Sequence, residues 1–173
     1  DDLILVSRDI GAHGATIFTA REGINMHSNL KSDCNSLYPQ VKALIDANIK
    51  ITALRDATRG GVSAVLNDLA KQSSICIEVE EGNIPVSDEV KGICEMLGFE
   101  ATNLANEGTF LLAIKKEDAA KAIEVLHKFE EAKNASIIGK VTSQYPQKVI
   151  LNSSWGTKRF LDTPTGELLP RIC

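Results

Sequence analysis

Between residues 61 and 80 the hydrophobic period changes once, and that change restricts the fold more than any other feature. Val62, Val65, Leu66 and Leu69 recur at i, i+3, i+4 and i+7, the spacing of one face of an α-helix. Ile75, Ile77 and Val79 then alternate with Cys76, Glu78 and Glu80, the period of a half-buried β-strand with its polar residues turned outward. A one-striped helix followed at once by a one-faced strand buries both stripes only if the helix lies on a sheet.

The rest of the chain repeats that theme. LILVS (3–7), ITALRD (51–56), FLLAI (110–114), ASIIGKV (135–141) and KVILNS (148–153) read as strands, with an extended piece at KRFLD. GAHGATIFTAREG reads as a turn opening a short helix. A helix is expected over 37–47, with Leu37, Val41, Leu44 and Ile45 on its apolar stripe and a turn around Asn48. Ser87 is the expected N-cap of another, with Asp88 and Glu89 in the first turn, Val90, Ile93, Cys94 and Leu97 on the core face and a stop at Gly98. EDAAKAIEVLHKF is a further helix. The fold class is α/β (α+β), a mixed β-sheet packed by helices. From Thr163 onward TPTGELLPRIC has two prolines, a glycine and no periodicity, so 1–162 is expected to be the domain and 163–173 a mobile tail.

Composition narrows the function. At 173 residues, 43% hydrophobic and 24% charged, the chain suits one compact domain with a real core. A net charge of −4 and a pI near 5.4 give no basic patch for nucleic acid or anionic lipid. No apolar run reaches the roughly 20 residues of a membrane span, and no leader pattern opens the chain, so a soluble, cytoplasmic protein is expected. The first residues, DDLILVS, lack a methionine and enter an apolar run directly, which reads as a cut at a boundary inside a longer protein. Cys34, Cys76, Cys94 and Cys173 show neither C-x-x-C nor Cys/His spacing, so reduced thiols are expected rather than a zinc site or a disulfide framework.

Four stretches can carry chemistry. In RDATRGG (55–61) the pair Gly60-Gly61 before a helix leaves backbone N–H groups open to an anion, and Arg59 adds a charge-assisted donor. A tight turn in which Asp56 and Thr58 bond the local backbone and Arg59 pairs with a surface acid fits equally well. GAHG (11–14) is a second glycine turn before a helix, where His13 is more simply a turn residue. In NEG (106–108) Glu107 precedes a strand, and a solvated loop acid is the simpler reading of it. Cys94 falls on an apolar helix face, Cys76 on the polar face of its strand, Cys34 in SDC is open, and His27 and His127 have polar surroundings. Cys173 differs, because a terminal thiol can be carried between sites and is a good nucleophile once deprotonated. Its own carboxylate raises the thiol pKa, so a site must supply the activation; a terminus that merely ends in Cys is the plainer alternative.

Taken in order, GAHG, SDC, RDATRGG, IPVSDEV, LANEG, IIGKV and the terminal PRIC resemble the HypE family of hydrogenase maturation factors across essentially the whole chain. The resemblance implies the carboxy-terminal half of such a protein, within the superfamily of aminoimidazole ribonucleotide (AIR) synthetase, whose amino-terminal domain supplies most of the ATP and Mg2+ site. It implies that HypF carbamoylates Cys173, that ATP drives dehydration of the carbamoyl group to a thiocyanate, and that the cyano group passes to an iron centre held by HypC and HypD. A homodimer is implied for the intact protein. Carried over by position, Cys173 and Glu107 are the catalytic residues, and Thr58, Arg59, Gly60, Gly61, Asn106 and His13 lie on the nucleotide side. Three departures stand out: Ala12 where the family commonly has an acid, Ala57 where it has proline, and Asn35-Ser36 where it has Ala-Pro. The loss beside His13 removes a neighbour that would fix its tautomer, and Ala57 is expected only to loosen a turn. The chain alone is expected to be inactive. A docking module for HypF or HypC–HypD without catalytic residues is the competing reading, and a purine or selenophosphate enzyme of the superfamily fits less well because neither needs PRIC.

Overall fold

The computed structural model describes residues 2–24 and 30–165. His27 and the end of the tail, 166–173 with Cys173, lie outside the described residues. The strands are β1 (Leu3–Val6), β2 (Ile51–Asp56), β3 (Cys76–Glu80), β4 (Phe110–Ile114), β5 (Ser136–Thr142), β6 (Lys148–Asn152) and β7 (Lys158–Phe160). They form one mixed sheet in the order β2-β4-β1-β5-β3-β6-β7. Only β3 and β6 pair in parallel; the other neighbours are antiparallel. The helices are α1 (Ala12–Arg21), α2 (Tyr38–Asp46), α3 (Gly61–Gln72), α4 (Asp88–Leu97) and α5 (Ala119–Leu126).

The two periods place these helices on opposite faces. Val62, Val65, Leu66 and Leu69 of α3 pack with Ile4, Val6, Ile77, Val79, Leu111 and Leu151 on one face. Leu44 of α2 and Ala122, Val125 and Leu126 of α5 pack with Leu5, Phe110, Leu112 and Ile114 on the other. Each buried Val or Leu contributes about 1.5–3 kcal/mol, so the central strands β1 and β4, covered on both sides, anchor the fold. A third cluster joins α1 to α4 through Ala15, Val90, Ile93 and Leu104. The cap of α4 forms as its sequence requires: Ser87 Oγ accepts from the Val90 N–H at 3.3 Å, and Gly98 ends the helix.

Two expectations fail, both because burial depends on neighbours that a single segment does not reveal. β3 is not half-buried: Cys76 is 0% and Glu78 7% exposed, since the strand lies inside the sheet between β5 and β6. Ile45 is 60% exposed, because α2 meets the sheet through Leu37, Val41 and Leu44 instead. Cys94 is buried and Cys34 exposed. Among the described residues no helix is long and apolar enough to cross a membrane.

The buried thiols make this architecture measurable. Burial, helped by neighbouring Glu95, pushes the Cys94 thiol pKa up and suppresses its thiolate. In peptide mapping after brief alkylation of the folded protein, Cys34 is labelled, whereas Cys76 and Cys94 react only as the protein unfolds. Labelling of Cys76 at the rate of Cys34 would contradict the buried placement of β3.

Candidate functional site

Because β1 and β2 both run antiparallel to β4, their carboxyl ends share one edge of the sheet with the start of β4. GAHG follows β1, RDATRGG ends β2 and leads into α3, and NEG precedes β4, so the topology alone brings the three loops to that edge. The strand ladder continues into them. Ser7 exchanges two bonds with Phe110, its N–H donating to the carbonyl and its Oγ accepting from the N–H, each at 3.0 Å. Ala57 N–H donates to Thr109 C=O at 2.9 Å. That last bond gives Ala57 a role a proline lacks: its N–H adds a rung between β2 and β4, so the residue ties the loop down where loosening was expected.

Asn106 joins the loops. It is fully buried, and its Oδ1 accepts from the Gly11 N–H at 2.7 Å. Its Nδ2 donates to Ala57 C=O at 2.7 Å and to Leu104 C=O at 3.2 Å, which occupies both amide hydrogens. Of the residues expected on the nucleotide side, this one has its side-chain donors fully engaged by backbone and braces the site from beneath.

Asp33 performs the same service from another loop. It is 3% exposed, and Oδ1 accepts from the Glu107 N–H at 3.0 Å. Oδ2 accepts from the Gly108 N–H at 2.9 Å and from Thr109 Oγ1 at 2.8 Å. A buried carboxylate needs such donors to offset its lost hydration. The approach is close enough that a Cβ on Gly108 would stand 1.8 Å from the Asp33 carbonyl oxygen, so only glycine fits there. Neighbouring Ser32 Oγ accepts from the Cys34 N–H at 3.1 Å and bonds His13 Nδ1 at 2.9 Å. Ser32 thus supplies the neighbour to His13 that Ala12 does not. Sequence reasoning assigned no part to Ser32, Asp33 or Ser7; the SDC motif was the only signal for the first two.

The remaining candidates line the rim. Gly60 and Gly61 both take left-handed backbone, φ 75° and 60°, at the start of α3. The turn is closed by the Gly61 N–H donating to Thr58 C=O at 3.0 Å, with no side-chain cap, so the first N–H groups of α3 have no capping side chain. The expected surface pairing falls on Arg55, which meets Asp68 at 3.2 Å; among the described residues Arg59 forms no ion pair and is exposed. Thr58 is half-buried and Glu107 is exposed. This rim offers anion donors beside a carboxylate. Among the described residues no group of three or more His, Cys, Asp or Glu side chains is placed to hold a metal ion, so the residues present do not build a Mg2+ site by themselves.

The profile of the AIR synthase related proteins, C-terminal domain, matches residues 1–152. The chain belongs to that family. Carbamoyl dehydratase HypE of Escherichia coli is 42% identical over 172 residues, covering 99% of this chain and 50% of that protein. A crystal structure of the hydrogenase maturation protein HypE in complex with ATP superposes with a TM-score of 0.94 at 35% identity, over 99% of this chain and 52% of that one. A HypE–HypF complex superposes with a TM-score of 0.89 at 36% identity, over 94% of this chain and 53% of that one. The chain spans about half the length of the curated relatives it matches. The resemblance to HypE and the expected α/β class with a mixed sheet are borne out.

Asn106→Ala removes the joint between the loops and leaves the Gly11 N–H and Leu104 C=O without their side-chain partner, while Ala57 C=O keeps only the backbone N–H of residue 106 at 3.2 Å. At about 1–3 kcal/mol for each of these two stranded groups, the variant loses roughly 2–6 kcal/mol in urea unfolding. An unchanged midpoint would show that the loops hold together without it.

Proposed function

We propose that this chain is the carboxy-terminal half of an ATP-dependent carbamoyl dehydratase that makes the cyano group for [NiFe]-hydrogenase on its own terminal thiol. The observation that carries this reading is the joining of GAHG, RDATRGG and NEG at one sheet edge through Asn106, which sets an exposed carboxylate beside anion donors. Identity to HypE along nearly the whole chain, and the solved HypE complexes with ATP and with HypF, support it.

The chemistry assigns the roles. HypF, as donor, places a carbamoyl group on Cys173 Sγ. The amide oxygen of S–C(=O)–NH2 then attacks the γ-phosphorus of ATP and ADP leaves. The nitrogen gives up one proton as the C=N bond forms and a second as phosphate departs, leaving S–C≡N, ADP, inorganic phosphate and a proton. Glu107 receives protons from nitrogen; its exposed carboxylate is within reach of a group delivered from outside. Arg59 and the Gly60 N–H hold phosphoryl oxygens as charge develops, beside Thr58 and with His13 at the edge, while Gly61 keeps the turn closed through its own N–H. Asn106 keeps these loops in register. Mg2+ and most of the ATP contacts belong to the amino-terminal half, and the cyano group passes onward to a HypC–HypD complex. The intact protein is a homodimer, and this half alone is inactive.

The test joins the intact protein with HypF, carbamoyl phosphate and ATP and follows its mass. Cys173 gains one carbamoyl group, then loses one water only when ATP is present. Cys173→Ala takes up nothing. Glu107→Gln loads normally but dehydrates about 100-fold or more slowly, in the range for removal of a general base. A Glu107→Gln variant that dehydrates at the parent rate would leave the docking module as the better description.

A further inference from the structure

We infer that Asp33 is a positioning residue for Glu107, acting through the backbone of the NEG loop; this rests on the dehydratase reading of the same site. The geometry is specific. Both N–H groups that flank the Glu107 carbonyl, its own and that of Gly108, donate to opposite oxygens of the one Asp33 carboxylate at 3.0 and 2.9 Å. Thr109 Oγ1 donates to Oδ2 at 2.8 Å and fixes the carboxylate plane. With both N–H groups held, the peptide plane after Glu107 has little freedom to rotate, and the Cα–Cβ direction of Glu107 follows that plane. Glu107 itself makes no side-chain hydrogen bond among the described residues, so its aim depends on the backbone under it.

The carboxylate is buried yet spends its acceptors on one loop seventy-four to seventy-six residues away. Residues 32–34 form no helix or strand that would need this clamp for its own continuity. The same tripeptide sets His13 through Ser32, so one short stretch orients a candidate group on each side of the site. Asp33 touches neither thiol nor nucleotide in this account. Its contribution is to hold the base where the carbamoyl nitrogen arrives, and a misplacement of about 1 Å can cost on the order of 100-fold in rate.

The experiment uses the intact protein loaded on Cys173 by HypF, with dehydration followed as single-turnover loss of water. Asp33→Asn keeps the volume but turns an N–H2 toward one of the three donors. The expected result is normal loading, a thermal midpoint within a few degrees of the parent, and dehydration slowed about 10- to 100-fold. Combined with Glu107→Gln, it adds less than about threefold, because the group it aims is gone. If Asp33→Asn does not fold, Thr109→Val, which keeps both backbone bonds, carries the test and slows dehydration at least about threefold with loading intact. The inference is overturned if the folded Asp33 variant, or Thr109→Val in its place, dehydrates at the parent rate. It is equally overturned if loading and midpoint fall together with dehydration, or if the double variant is additive. Glu107→Gln run in parallel separates the two levels: parent-rate dehydration by that variant removes the dehydratase role of Glu107, and Asp33's with it, whereas a stalled Glu107→Gln beside an active Asp33→Asn removes Asp33 alone.

Discussion

The buried amide of Asn106 is the contact on which the site depends. Its partners, Gly11 at the head of α1 and Ala57 after β2, lie ninety-five and forty-nine residues away in sequence and belong to different elements. An amide offers one acceptor and two donors in a rigid plane, and here each meets a backbone group of complementary sense. Three loops that would otherwise end separately at a sheet edge are held in one register, with no cluster of metal-ligating side chains and no disulfide among the described residues to do it.

Around that joint the polar side chains divide by burial. Asn106, Asp33 and Ser7 are buried and spend their hydrogen bonds on backbone, with Thr109 Oγ1 added at Asp33; Arg59 and Glu107 are exposed, and among the described residues their side chains make no hydrogen bond. This separation suits chemistry on a group carried in from elsewhere, since preorganised loops beneath the rim cost no reorganisation when the substrate arrives. It also suits the two-half protein proposed above, in which this half would present a carboxylate and anion donors.

Much of the fold was legible because it rests on local periodicity. The stripe Val62, Val65, Leu66 and Leu69 requires a helix against a sheet, and FLLAI requires a buried strand, whatever lies elsewhere. Ser87 and Gly98 mark helix ends by backbone chemistry alone. Where burial comes from neighbours, local reading fails: the alternation of β3 suggested a solvated face, but β5 and β6 flank it and Cys76 is wholly covered. The site was legible in part. Glycine pairs and a loop acid signal anions and protons, but Asp33 lies in an irregular stretch with no period, and its partners sit in a loop that only the antiparallel pairing of β1, β2 and β4 brings near. No local pattern encodes that distance.

The account's central claim is that the joined loops act on the terminal thiol. A crystal structure of the intact protein, carbamoylated on Cys173 and bound to a non-hydrolysable ATP analogue, tests it most directly. The account predicts the carbamoyl nitrogen within about 2.6–3.2 Å of the Glu107 carboxylate, or one water from it, with its oxygen turned toward the γ-phosphate. A carbamoylated Cys173 seated away from this edge, with Glu107 facing bulk solvent, would contradict it.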